Sequence, residues 1–229
     1  MKILAIETST MMGSVAIMDE NGLIAEYCLN IKTTHSERLM KTIDAILRDS
    51  SLTIKDIEGY AVSIGPGSFT GLRIGLGTVK GLAYVTKKPV AAIPTLDALS
   101  YNIPFSKYNI CPMLDARKNE VYTSLYRFKE NGELLKLVDD SVIRPEILIK
   151  DIKGPTVFLG EGAVIYRDLI KKILGDNARF APYAQNLPSA ANVAELGLKA
   201  LLSGDKKDPE TLVPKYIRKS EAEIKSSNK

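Results

Sequence analysis

Apolar residues alternate with polar ones in some stretches of this chain and recur every three to four positions in others, and the two patterns interleave from end to end. Residues 2–7 (KILAIE) and 13–18 (GSVAIM) read as strands. The pair Asn21-Gly22 supplies the positive φ angles of a tight hairpin turn, and residues 23–29 return as a third strand. Thr34-His35-Ser36-Glu37 matches a capping box, with Thr34 at the N-cap and Glu37 at N3. The helix it opens gathers Leu39, Ile43, Ile46 and Leu47 on one face.

The most informative stretch is 60–85, YAVSIGPGSFTGLRIGLGTVKGLAYV. An alternating run at 60–64 predicts a strand, Gly65-Pro66-Gly67 ends it, and Ser68 is a natural N-cap for a helix from Phe69 to about Val85. Gly71, Gly75, Gly77 and Gly81 all lie inside that helix. At roughly 1 kcal/mol each relative to alanine, they lower its propensity by about 4 kcal/mol. Gly71, Gly75 and Thr78 fall at i, i+4 and i+7, a stripe of small side chains that lets another backbone come close. That neighbour is either the chain's own core or another subunit. A glycine-rich turn before a helix also suggests an anion cradle, but GPGSFTG lacks both the Lys-Ser/Thr of a Walker loop and GxGxxG spacing.

After this helix, residues 89–93 predict a buried strand and 96–100 a short helix; 101–108 mark a boundary. The opening pattern then recurs. Strands at 110–115 and 120–128, an Asn131-Gly132 turn and a third strand at 134–138 repeat the first meander. Asn21 and Asn131 stand 110 positions apart, and Glu7 and Asp115, each closing a first strand, stand 108 apart. A helix from Pro145, a strand at 156–160, and helices at 163–174 and 190–203 follow, and the polar stretch 219–229 is expected to be disordered. The expected organisation is α/β with two duplicated lobes, 1–100 and 101–218.

Composition narrows the function classes. No apolar run reaches the length of a membrane span, no leader-like segment precedes the first strand, and Cys28 and Cys111 lack metal or redox spacing, which fits a reducing cytoplasm. A net charge of +4 is too small for a dedicated nucleic-acid binder, although the basic end of the chain suits a phosphate backbone. The single histidine, His35, argues against histidine-based catalysis. No Ser/His/acid set is visible either, because Ser68 and Ser36 are explained as a cap and a first-turn residue.

A duplicated βββαβαβα unit resembles the actin-like ATPase (ASKHA) superfamily, which holds a nucleotide between its lobes. The resemblance would put Glu7, Thr8 and Ser9 at the first phosphate hairpin, Asp115 at the second, and Gly160-Glu161-Gly162 at the adenosine turn. Arg117 stands where the second hairpin has a glycine, and Met11-Met12 where the first has polar residues, so the cleft reads as vestigial. The strings SIGPGSFTGLRIGLGTVKGLAYVTKKPVAAIPTLDAL, MLDARKNEVYTSLY and VPKYIR more specifically resemble the TsaB (YeaZ) family, across nearly the whole chain.

That family resemblance implies a non-catalytic paralogue of TsaD. Such a protein binds and activates TsaD in threonylcarbamoyl transfer to adenosine of ANN-decoding tRNAs, with the ATPase TsaE in the larger complex, tRNA contacted indirectly, and a homodimer when alone. Where TsaD places two metal-binding histidines, this chain has Thr95 and Leu99, so neither metal nor cofactor is expected. The implied partner interface comprises Leu39, Ile43, Gly67, Ser68, Gly71, Leu72, Arg73, Gly75, Leu76, Thr78, Val79 and Tyr216. An autonomous phosphotransferase or ATPase of the actin-like type is the alternative, and a metal-dependent glycoprotease-like hydrolase ranks below it.

Overall fold

The structure, a computed structural model, describes residues 1–29 and 35–218, with side chains resuming at Arg38 after the first gap. The Thr34 and Glu37 capping box lies outside the described side chains. Strands β1 (Ile3–Glu7), β2 (Gly13–Asp19) and β3 (Gly22–Leu29) form an antiparallel meander, with Asp19 and Gly22 opposite each other at the hairpin end. Helix α1 (His35–Asp49) leads to β4 (Gly59–Gly65), α2 (Phe69–Thr86), β5 (Val90–Pro94) and α3 (Thr95–Ser100). β4 and β5 add in parallel beyond β1, giving the order β3-β2-β1-β4-β5.

The second half repeats this plan. β6 (Asn109–Asp115), β7 (Val121–Phe128) and β8 (Leu134–Ile143) form the meander, and β9 (Thr156–Leu159) and β10 (Ala178–Phe180) extend it in parallel. The order β10-β9-β6-β7-β8 is the first sheet's order over again. Helices α4 (Pro145–Asp151), α5 (Glu161–Ile165) and α6 (Arg167–Leu174) connect it, and α7 (Ala190–Leu202) follows. Alternation along the strands sorts the cores by face. Leu4, Ile6, Tyr60 and Val62 pack toward α1 and α2, whereas Ile3, Ala5, Ala61 and Ala91 pack toward α7. Thus α7, which follows the second sheet in sequence, lies against the first. At the junction of the halves, Leu96 and Leu99 of α3 share a core with Ile110, Leu114 and Tyr126.

Three elements differ from the sequence reading. β8 runs five residues past Val138, and the side chain of Asp140 in that extension is buried and ion-paired to Lys136 and Lys215. The helix expected over 163–174 is two helices meeting at Tyr166, whose N–H turns back to the Gly162 carbonyl. β10 has only three residues, too few to show a period of two. Among the described residues no helix is long and apolar enough to cross a membrane.

Candidate functional site

Two features stand out: a cleft between the lobes, and the outer face of α2. The cleft encloses about 480 Å³. Its walls are the β1–β2 hairpin (Ser9, Thr10, Met11), the start of α2 (Gly67, Ser68, Phe69), the β6–β7 hairpin (Asp115 to Lys118), Glu161, and the C-terminal stretch from Lys215 to Arg218.

The residues expected to form a nucleotide cleft come to this region: Ser9 and Asp115 line its walls, whereas Glu7, Thr8, Gly160 and Gly162 do not. Glu7, Thr8 and Ser9 are buried. Thr8 Oγ1 donates to the Gly71 carbonyl at 2.8 Å, tying β1 to α2. The Ser68 N–H, which an anion at the head of α2 would use, donates instead to the Ser9 carbonyl at 2.6 Å. Ser68 Oγ then caps the helix by accepting from the Gly71 N–H at 3.2 Å. At the adenosine turn, Gly160 has φ +100 and a Cβ there would lie 2.2 Å from the Met113 carbonyl; at Gly162 the distance to the same oxygen is 3.0 Å. These glycines admit the chain's own strand β6. Asp115 pairs with Arg117 at 3.0 Å and accepts from its backbone N–H at 2.8 Å. Arg117, Lys118 and Asn119 all take left-handed backbone conformations, so the hairpin turns without the glycine expected there.

Burial raises the carboxyl of Glu7 above its ordinary value, against the hydrogen bond that its Oε1 accepts from the Ser9 N–H. Its Oε2 has no hydrogen-bond partner. A raised acid binds its proton more tightly in the folded state, so its charge opposes folding increasingly as pH rises above the unfolded value. Glu7→Gln is therefore expected to raise the melting temperature at neutral pH, with the gain disappearing as pH falls to about 4.5. Thermal unfolding followed from pH 4 to 8 measures this; a gain that grows toward acid would contradict it. Burial also raises Glu161, as does the nearby Asp115.

The expected interface residues divide sharply. Leu39, Ile43, Leu72, Leu76 and Val79 sit in the chain's own core, so they offer no area to a second chain. Gly71 and Gly75 are buried too: a Cβ on Gly75 would lie 2.3 Å from Thr8 Oγ1. The stripe of small residues therefore serves packing of α2 on β1, because the first sheet claims the apolar side of the helix. Gly67 is also filled from within, its missing Cβ position 2.4 Å from the Ser9 carbonyl. Thr78 is half-buried, and Ser68 and Arg73 are exposed. Of the opposite side of α2, the expected interface takes in only Arg73. Gly77 and Gly81 point there, with nothing within 4 Å of either missing Cβ, between Arg73 and the exposed Tyr84 and Val85. A helical wheel carries this signal, since 77 and 81 fall on the side away from 72, 75, 76 and 79.

A family model for TsaD, the tRNA N6-adenosine threonylcarbamoyltransferase, matches residues 23–226. The tRNA threonylcarbamoyladenosine biosynthesis protein TsaB of Bacillus subtilis (strain 168) is 36% identical over 228 residues, 98% of this chain and 97% of that protein. The chain belongs to the TsaB family. Its counterpart of that name in Escherichia coli (strain K12) is 30% identical across 97% of this chain and 96% of its own length. Among solved structures, YeaZ from Pseudomonas aeruginosa superposes with a TM-score of 0.78 at 26% identity, covering 94% of this chain and 99% of that one. Component A of the Acidaminococcus fermentans (R)-2-hydroxyglutaryl-CoA dehydratase has a TM-score of 0.53 at 11% identity, over 88% and 99% of the two chains, a likeness of fold alone. The architecture is the actin-like ATPase fold.

In this TsaB-family chain Thr95 and Leu99, at the positions implied for metal-binding histidines, are fully buried, and Thr95 Oγ1 has no hydrogen-bond partner. Among the described residues no three His, Cys, Asp or Glu side chains gather as a metal site would require. Tyr216 lies on the head of α2: its ring stacks on Phe69 at 4.8 Å and its hydroxyl accepts from Arg73 Nε at 3.0 Å. Asp140, invisible as a site residue in the sequence, joins a buried network. It pairs with Lys136 at 2.8 Å and Lys215 at 2.7 Å, and Tyr126 O–H donates to it at 3.3 Å and to Asp97 at 2.6 Å. Burial by itself would raise Asp140, but the hydrogen bonds from Lys136 and Lys215 outweigh it and bring the carboxyl below its ordinary value.

Proposed function

We propose that this chain is a non-catalytic subunit of the tRNA threonylcarbamoyladenosine machinery, one that binds and activates TsaD in threonylcarbamoyl transfer to adenosine of ANN-decoding tRNAs. Its named relatives are threonylcarbamoyladenosine biosynthesis proteins, and its cleft is organised around itself. The carbonyl of Ser9 takes the Ser68 N–H, Met113 fills the space at Gly160 and Gly162, and Glu7 is buried. What remains to offer a partner is a surface.

The observation that carries the reading is the outer face of α2. Gly77 and Gly81, one turn apart and open to solvent, leave a trough along the helix into which a second helix fits more closely than the usual 8–10 Å separation. Tyr84 and Val85, 64% and 79% exposed, supply apolar area at one end, and Arg73 a charge at the other. Helix α1 lies beside α2 and exposes Met40. TsaD, as a paralogue of the same fold, would present equivalent helices, so a quasi-symmetric contact forms across the pair. The same self-complementarity supports a homodimer when the chain is alone. TsaE joins the larger complex, tRNA is contacted indirectly, and the cytoplasm is the site of action. Interface residues inferred here are Arg73, Gly77, Gly81, Tyr84, Val85 and Met40; the buried residues expected from the sequence hold α1 and α2 in position beneath them.

Reconstitution tests the reading. TsaD, TsaE, tRNA and threonylcarbamoyl-adenylate are expected to form threonylcarbamoyladenosine only when this chain is added. Formation at the same rate without it would defeat the proposal. An isolated chain that turned over Mg-ATP would instead favour the phosphotransferase alternative.

A further inference from the structure

We propose that residues 213–218 form a strap that crosses the mouth of the interlobe cleft and fixes the angle between the lobes, so that the chain supplies from its own sequence the bridge that would otherwise fall to a bound molecule. This inference is independent of the partner assigned above.

The strap is anchored to the first lobe through backbone and aromatic contacts. The Lys215 N–H donates to the Ile64 carbonyl at 2.7 Å, continuing from the end of β4. The Lys215 carbonyl passes so close to Gly65 that a Cβ there would lie 2.8 Å from it. Tyr216 stacks on Phe69 and its hydroxyl accepts from Arg73 Nε, while the Arg73 guanidinium lies 3.9 Å from the Phe69 ring centroid. Lys80 Nζ holds the approach to the strap by donating to the carbonyls of Glu210 and Leu212, 3.1 Å each.

The second lobe is gripped by charge. Lys215 Nζ reaches Asp140 at 2.7 Å, and the Asp140 side chain is only 1% exposed. Arg218 Nη1 donates to the Ala116 carbonyl at 2.8 Å, and its Nη2 pairs with Glu120. Lys215 and Tyr216 are adjacent in sequence yet reach opposite lobes, as neighbouring side chains of an extended segment do. Losing Lys215 would leave a buried carboxylate dependent on Lys136 and Tyr126 alone, which sets a preference for the strapped state. Elsewhere the lobes are joined through the core around α3. A joint at α3 and a tie across the cleft together define one closed geometry.

The test uses the full chain with Cys28→Ser as background and nitroxide labels at Asp44→Cys on α1 and Ile147→Cys on α4, one exposed position in each lobe. Arg218→Glu combined with Tyr216→Ala is expected to broaden and lengthen the interlobe distance distribution, and to accelerate amide exchange at Lys215 by at least tenfold. Arg218→Glu alone should weaken the tie, and adding Glu120→Arg should restore both the distance and the protection. The proposal is overturned if the double variant leaves distance and protection at their wild-type values. It is equally overturned if the reversed pair fails to recover what Arg218→Glu loses, including the fold should that single variant fail to fold.

Discussion

Gly77→Leu combined with Gly81→Leu is expected to give a chain that melts higher than wild type and no longer captures TsaD. Both positions are mid-helix and open, with nothing within 4 Å of a new Cβ. Leucine is a strong helix former, so each change recovers most of the propensity lost to glycine, about 1.5 kcal/mol for the two. In a domain of this size that raises the melting temperature by about 3–5 °C. The same side chains fill the trough along α2, and a helix docked there would have to withdraw by several ångströms. Affinity for TsaD is expected to fall by at least about a hundredfold, the scale of a hot-spot loss of roughly 2–3 kcal/mol. Calorimetry on the isolated chain and a titration with TsaD read the two effects separately. Binding that survives would move the interface away from α2.

Two residues earlier on the same helix the opposite outcome is expected. Gly75→Leu should strongly destabilise the fold. Its Cβ would be placed 2.3 Å from Thr8 Oγ1, with Ile6 Cγ2 at 3.6 Å behind it. Accommodating the side chain pushes α2 off β1 and breaks the Thr8 O–H bond to the Gly71 carbonyl. Overpacking of this kind costs about 1–3 kcal/mol, and a stranded buried hydroxyl about 1–3 more. Together these come to about 2–6 kcal/mol, a large part of the stability of an ordinary domain, about 5–15 kcal/mol. Denaturant unfolding measures it: a Gly75→Leu chain as stable as wild type would show that α2 does not pack as described. Gly75 and Gly77 therefore separate fold from recognition along one turn of helix.

The contrast also shows which parts of the molecule sequence reasoning reaches. Local signals were legible: the Asn21-Gly22 and Asn131-Gly132 turns, the Ser68 cap, and the repeated meander all depend on neighbours within a few residues, and each meander closes into a sheet of the same strand order. The small-residue stripe Gly71-Gly75-Thr78 was legible as a close approach, but periodicity cannot say who approaches. Burial of Leu72, Leu76 and Val79 on the same side assigns that approach to β1 and leaves Gly77 and Gly81 for the outside. Long-range pairings were not legible. Nothing near Asp140 in the sequence points to Lys215, 75 positions on, which the fold places against it. Ser9 reads as a phosphate-hairpin residue until its carbonyl is found on the Ser68 N–H.

The most direct test of docking through α2 is threonylcarbamoyladenosine formation in the reconstituted system when the wild-type chain is replaced by Gly77→Leu/Gly81→Leu. Modification at the level seen with no chain added, from a protein shown by calorimetry to be folded, is the predicted result. Modification at the wild-type rate would contradict it.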